Sequence, residues 1–179
     1  YTLVHMDKQN RFLLLIDGPM GSGKSTVADL LKTKLNRVLF TGLDRLKWSI
    51  SGFDRSSEGN KLVAHLVESL ARTALVDGIS VCVEQGFMKA EYMLPFLELA
   101  KELRVRLLVY QIEAPRDVLI ERIKPRKTPA EAKTPVTMEK IEKNLDNYFN
   151  NKYPKAKVID SEKYSPEEIA QIIMNDLSS

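Results

Sequence analysis

Phe12-Leu13-Leu14-Leu15-Ile16-Asp17 runs straight into Gly18-Pro19-Met20-Gly21-Ser22-Gly23-Lys24-Ser25-Thr26, and the fold turns on this stretch. Five consecutive apolar residues closing on Asp17-Gly18 read as a parallel strand covered on both faces. From Lys24 to Leu35, Val27, Leu30, Leu31 and Leu35 recur at helical spacing. The turn between the two segments satisfies G-x-x-x-x-G-K-[ST] at every fixed position: Gly18, Gly23, Lys24 and Ser25. Glycines let successive backbone N–H groups turn inward around an anion, and the helix opening near Lys24 adds its unpaired amides and a partial positive charge at the same spot. Lys24 is then placed to reach the β- and γ-phosphates, and the Ser25 hydroxyl to ligate Mg²⁺. The expected ligand is a nucleoside triphosphate, ATP with Mg²⁺, held by Gly18, Met20, Gly21, Ser22, Gly23, Lys24, Ser25 and Thr26.

Working outward, strand-like and helix-like segments alternate to the end of the chain. Val38-Leu39-Phe40 reads as a second strand, with a short helix over Leu46 to Ile50 after it. Between Lys61 and Val76, apolar residues at 62, 63, 66, 67, 70, 71, 74 and 75 predict an amphipathic helix, ended by Asp77-Gly78. Strand Ser80 to Glu84, helix Ala90 to Leu103 and strand Val105 to Glu113 follow. Pro115 opens a helix to about Lys124, and Pro125, Pro129 and Pro135 break up a polar connector. A helix from Val136 to Phe149 leads to strand Lys157 to Asp160, and Ser165-Pro166-Glu167-Glu168 is a capping box opening the last helix. Five strands alternating with helices predict an α/β domain with a five-stranded parallel sheet.

Composition narrows the classes. At 179 residues, 44% hydrophobic and 28% charged, the chain suits one globular domain. No apolar run approaches the ~20 residues of a membrane span. A single cysteine, Cys82, excludes an internal disulfide framework and favours a cytoplasmic setting. The natural start is expected at Met6, so Tyr1 to His5 stay out of the fold argument. The net charge of +3 is too small to announce a nucleic-acid binder. The excess is local: between Glu121 and Lys133, Arg122, Lys124, Arg126, Lys127 and Lys133 face only Glu121 and Glu131.

A short chain with its phosphate loop near the N-terminus, Thr41-Gly42-Leu43-Asp44 ending the second strand, a polar end to the third strand and a late basic segment resembles the P-loop kinase group. That group includes adenylate, shikimate and gluconate kinases, chloramphenicol phosphotransferase and the kinase domain of polynucleotide kinase. The resemblance implies a three-layer P-loop fold with a movable lid, here residues 122–136. It also implies that Asp44 lies across the cleft from the γ-phosphate and accepts the proton of an acceptor hydroxyl, with Asp54 as a second carboxylate in the same segment. Alternatively, Asp44 caps the next helix. Lys47 and Trp48 would face the acceptor, Arg122 and Arg126 would be the lid arginines, and Asp160-Ser161 the loop on the nucleotide base.

Glu84 leaves the carboxyl edge of a parallel strand, where ligand crevices form, and is the expected second Mg²⁺ holder, with Gln85 beside it for the acceptor. Cys82, alternating with Val81 and Val83, is expected in the core, and His65 on the surface. The function expected is an ATP-dependent kinase acting on a hydroxyl of a small molecule. A nucleoside monophosphate kinase needs several arginines for the acceptor phosphate, and only Arg45, Arg55 and Arg72 stand between strands two and three. A polynucleotide 5′-hydroxyl kinase needs a longer basic groove. A regulatory nucleotide-binding module is the remaining alternative.

Overall fold

The computed structural model describes residues 11–54, 56–123 and 137–179. Its five strands are β1 (Phe12–Asp17), β2 (Val38–Thr41), β3 (Ser80–Glu84), β4 (Arg106–Glu113) and β5 (Lys157–Asp160). They form one sheet in the order β2-β3-β1-β4-β5, with every pairing parallel. The helices are α1 (Lys24–Lys34), α2 (Leu43–Ser49), α3 (Ser57–Val76), α4 (Leu94–Glu102), α5 (Arg116–Ile123), α6 (Met138–Asn150) and α7 (Pro166–Ser178). The five-stranded parallel α/β domain expected from the sequence is the one found.

Side chains alternate along β1 to build two cores. Leu13 and Leu15, with Val81 and Val83, pack under α3 and α4 through Val63, Val67, Leu75, Phe96 and Leu99. Leu14 and Ile16, with Cys82 and Ile112, pack on α1 and α7 through Val27, Leu31, Ile169 and Ile173. Cys82 is fully buried, as its place between two valines predicts, and burial pushes its thiol far up from the ordinary range. Right-handed crossovers therefore carry β1→α1→β2 over one face and β3→α4→β4 over the other. Strands β1 and β3 are neighbours whose connections leave in opposite directions, and such a pair opens a crevice at its carboxyl ends. The register puts Glu84 beside Ile16 and Gln111 beside Asp17 at that edge.

Several boundaries differ from expectation, each for a local reason. The helix after β2 begins at Leu43, not Leu46, with Gly42 in the cap position. Asp44 therefore sits inside the first turn; it neither ends the strand nor caps the helix. Helix α3 starts a turn early because the Ser56 hydroxyl accepts the Gly59 amide at 2.9 Å. The segment expected as one helix from Ala90 is a 3-10 turn, Ala90–Met93, followed by α4. Pro95, in the first turn of α4, has no amide to continue a helix from upstream. Helix α6 begins at Met138, capped by Thr137. Leu62, Leu66 and Leu70, counted toward the buried stripe of α3, are exposed, because the sheet covers only the arc through Val63, Val67 and Ala71. His65 is exposed as expected. The capping box of α7 forms in both directions, at 3.2 and 2.8 Å.

One glycine position matters for the site. A Cβ on Gly42 would stand 2.0 Å from the Glu84 carbonyl oxygen, so the β2–α2 turn passes against the end of β3 with no room for a side chain. Gly42→Ala is expected to destabilise the domain by about 1–3 kcal/mol in urea unfolding, the usual cost of an overpacked contact. An unchanged midpoint would show that the turn can back away from β3.

Candidate active site

The phosphate loop leaves β1 and enters α1 at Gly23, whose φ of 88° is the left-handed conformation glycine tolerates. No side chain caps α1, so its first amides remain directed at the loop's concavity. Within the loop, the Ser22 amide donates to the Pro19 carbonyl at 3.3 Å, and the Lys24 ammonium donates to the same oxygen at 3.4 Å. The Ser22 hydroxyl is fully buried on the Gly18 side of the loop and has no hydrogen-bond partner among the described residues. Met20 packs against the apolar cluster that includes Leu119 and Ile123 of α5 and Ile141 and Leu145 of α6.

At the mouth of the loop, the Ser25 hydroxyl donates to Glu84 Oε1 at 2.9 Å. These are the two side chains expected to hold Mg²⁺, and their oxygens share one spot at the β1/β3 crevice. Glu84 is only 8% exposed. Its other oxygen lies 3.9 Å from Arg45 Nε, while Arg45 Nη2 binds Asp29 on α1 at 2.7 Å. A serine hydroxyl and a carboxylate at one point are a hard oxygen donor set of the kind that suits Mg²⁺.

Arg45 belongs to α2, which therefore runs beside this point. Asp44 is exposed and lies 3.6 Å from the Lys47 ammonium, whose side chain is largely covered. Trp48 is half exposed. Gln85 is buried, and its amide oxygen accepts the Leu43 amide at 3.2 Å. That bond fixes the first turn of α2 against β3, so Gln85 has a bracing contact besides any toward an acceptor.

On the other side of the loop, a cavity of about 360 Å³ runs from Gly21, Ser22 and Gly23 to Arg122, Ser161 and Tyr164. Arg122 donates to both the hydroxyl and the carbonyl of Ser161, each at 2.9 Å. The turn after β5 and the end of α5 are thereby brought together, the loop and the arginine that the sequence treats separately. Arg126 lies outside the described residues, as does the rest of the expected lid from residue 124 to residue 136.

Asp17, which the sequence reading passes over as the end of a strand, is 1% exposed. Its Oδ1 accepts the amides of Gly18 at 2.7 Å and Phe87 at 2.9 Å, and its Oδ2 accepts the Gln111 side-chain amide at 3.0 Å. Burial pushes its carboxyl up to about 6, while those donors and the Lys24 charge hold it from rising further. The overlooked signal was a carboxylate at the last position of an otherwise apolar, doubly covered strand. Arg45 was missed as a partner of Glu84 because the two meet only in three dimensions.

An AAA-domain family model matches residues 13–150. A kinase-like structure from Chloroflexus aurantiacus superposes with a TM-score of 0.72 at 20% identity, covering 93% of this chain and 98% of that one. The APS kinase of Mycobacterium tuberculosis, solved with AMPPNP and APS, gives 0.70 at 20% identity over 95% and 99%. The tunicamycin resistance protein of Deinococcus radiodurans gives 0.65 at 16% identity over 93% and 95%. At these identities the likeness is one of fold. No curated protein sequence matches the chain. Among the described residues no helix is long and apolar enough to cross a membrane.

The Asp17 environment carries a stability signature. Its folded pKa, about 6, lies above the ordinary 3.8, so between those values the folded state holds a proton that the unfolded chain releases. This contribution is full below pH 4 and is lost as pH rises through 6. The stability of wild type relative to Asp17→Asn should therefore fall by something on the order of 2–3 kcal/mol from pH 4 to pH 7. Urea denaturation across that range reads it, and a flat difference would contradict the burial argument.

Proposed function

The chain belongs to the AAA-domain family, and on that premise we propose that it is an ATP-dependent kinase transferring the γ-phosphoryl group to a hydroxyl of a small-molecule acceptor. The observation that supports this reading is the meeting of Ser25 and Glu84 at the mouth of the phosphate loop. The loop amides and Lys24 hold the triphosphate, Lys24 exchanging the Pro19 carbonyl for phosphate oxygens. Ser25 and Glu84 would hold Mg²⁺, which would supply positive charge to offset that of the triphosphate. The nucleoside occupies the cavity beside Arg122, Ser161 and Tyr164, where a planar guanidinium suits the face of a base. Gly18, Met20, Gly21, Ser22, Gly23 and Thr26 complete the nucleotide contacts.

Asp44 accepts the proton of the acceptor hydroxyl. The acceptor oxygen forms its bond to the γ-phosphorus while the bond to the β,γ-bridging oxygen breaks, and ADP leaves with that oxygen. Lys47 and Trp48 border the acceptor. Arg126, on the segment beyond α5, remains the arginine assigned to the transferring phosphoryl group. The described arginines between β2 and β3 support a hydroxyl acceptor over a nucleoside monophosphate. Arg45 is committed to Asp29 and Glu84, and Arg72 to Glu102 at 2.6 Å.

The test is ADP release from Mg·ATP across nucleosides, nucleoside monophosphates, sugars, hydroxylated antibiotics and a 5′-hydroxyl oligonucleotide. A hydroxylated small molecule should stimulate release. Asp44→Asn should then cut kcat by ~10²- to 10⁴-fold with nucleotide affinity intact. Retention of more than about a tenth of wild-type turnover would remove the base role. Stimulation by monophosphates alone would replace this reading with a nucleotide kinase.

A further inference from the structure

The carboxylate of Asp17 is buried directly behind the phosphate loop, and burial disfavours its charge even though three N–H donors and the Lys24 charge favour it. A neutral or apolar residue would cost less, so the contacts it makes must account for it. They join three segments. Gly18 is the first residue of the phosphate loop, Phe87 belongs to the strand-end segment 85–88 that faces α2, and Gln111 belongs to β4. Only a carboxylate, with acceptors on both oxygens and no donor, takes all three N–H groups at once.

The two segments are already close. The Gln85 amide donates to the Ile16 carbonyl at 3.1 Å, and a Cβ on Gly86 would stand 3.3 Å from the Gly18 carbonyl oxygen. The far end of segment 85–88 touches the opposite wall, where the Asn144 amide lies 3.4 Å from Met88 Sδ. Gln85, at its near end, fixes the first turn of α2. Segment 85–88 thus touches both the helix carrying Asp44 and α6.

We propose that Asp17 is a positioning residue that joins the phosphate loop to segment 85–88, so that filling one is felt at the other. The proposal rests on the kinase reading for calling segment 85–88 acceptor-facing; its test does not. Besides Gln111, the groups that face Asp17 are Lys24 from α1 and Tyr148 from α6, whose hydroxyl donates to Glu113 at 3.0 Å. Burial pushes the Tyr148 phenol far upward, so it keeps its proton in the mildly acidic range. A titration near pH 6 at this joint therefore belongs to Asp17.

Two-dimensional ¹H–¹⁵N spectra of the full chain read the joint directly. In wild type the Gly18 and Phe87 amide signals should follow one titration curve with a midpoint near pH 6. In Asp17→Asn, whose carbonyl keeps both backbone amides while Gln111 turns its own carbonyl to the new NH₂, both signals should be flat with pH. Added AMPPNP should shift both signals in wild type and in Asp17→Asn. In Asp17→Ala the shift at Gly18 should persist and that at Phe87 should be lost. Separate midpoints, a titration surviving in Asp17→Asn, or an undiminished Phe87 response in Asp17→Ala would each overturn the proposal. Should Asp17→Ala not fold, the Asp17→Asn titration decides alone. Silence of every acceptor in the ADP-release panel would count against the kinase and leave these spectra interpretable.

Discussion

A parallel strand with neighbours on both edges and helices on both faces can be entered and left only at its ends. Strand β1 is such a strand: Leu13 to Ile16 are completely buried, so every polar group the chain needs near it is pushed to the carboxyl edge. There the chain must turn at once into α1 without blocking the amides it exposes. Glycine at the helix cap and an uncapped first turn meet that constraint, and the anion site follows from it.

The rest of the site is arranged around the same edge. The reversal of connections between β1 and β3 leaves a crevice there, and Glu84 reaches it from the strand next door. The side-chain-free passage at Gly42 lets α2 come close enough for Gln85 to hold its first turn. Charge is balanced in layers: loop amides and Lys24 are positive, Glu84 and Asp17 negative, and Arg45 offsets Glu84 from behind. On the function proposed, this layering suits a polyanion bound together with a divalent cation.

Strand and helix order, the phosphate loop and the capping box of α7 were legible in the sequence because each is set by neighbours a few residues away. The run at Phe12 and the spacing at Val27, Leu30 and Leu31 need only a local period to be read. Glu84 was legible too, since its place at a strand end implies its direction. What stayed hidden was set from a distance. The early start of α2 depends on Gln85, 42 residues away, accepting the Leu43 amide. Asp17 gains its meaning from Phe87 and Gln111, 70 and 94 residues on. Leu62, Leu66 and Leu70 fit the helical period of the buried stripe, and only the width of the sheet beneath shows that they miss it.

The central claim is that the β1/β3 edge is a joint site for a triphosphate and a divalent cation. Calorimetric titration of AMPPNP, with and without Mg²⁺, into wild type and Lys24→Ala tests it most directly. The account predicts one molecule bound per chain, tighter with Mg²⁺, and binding abolished or severely weakened in Lys24→Ala. Affinity indifferent both to Mg²⁺ and to loss of the lysine would contradict it.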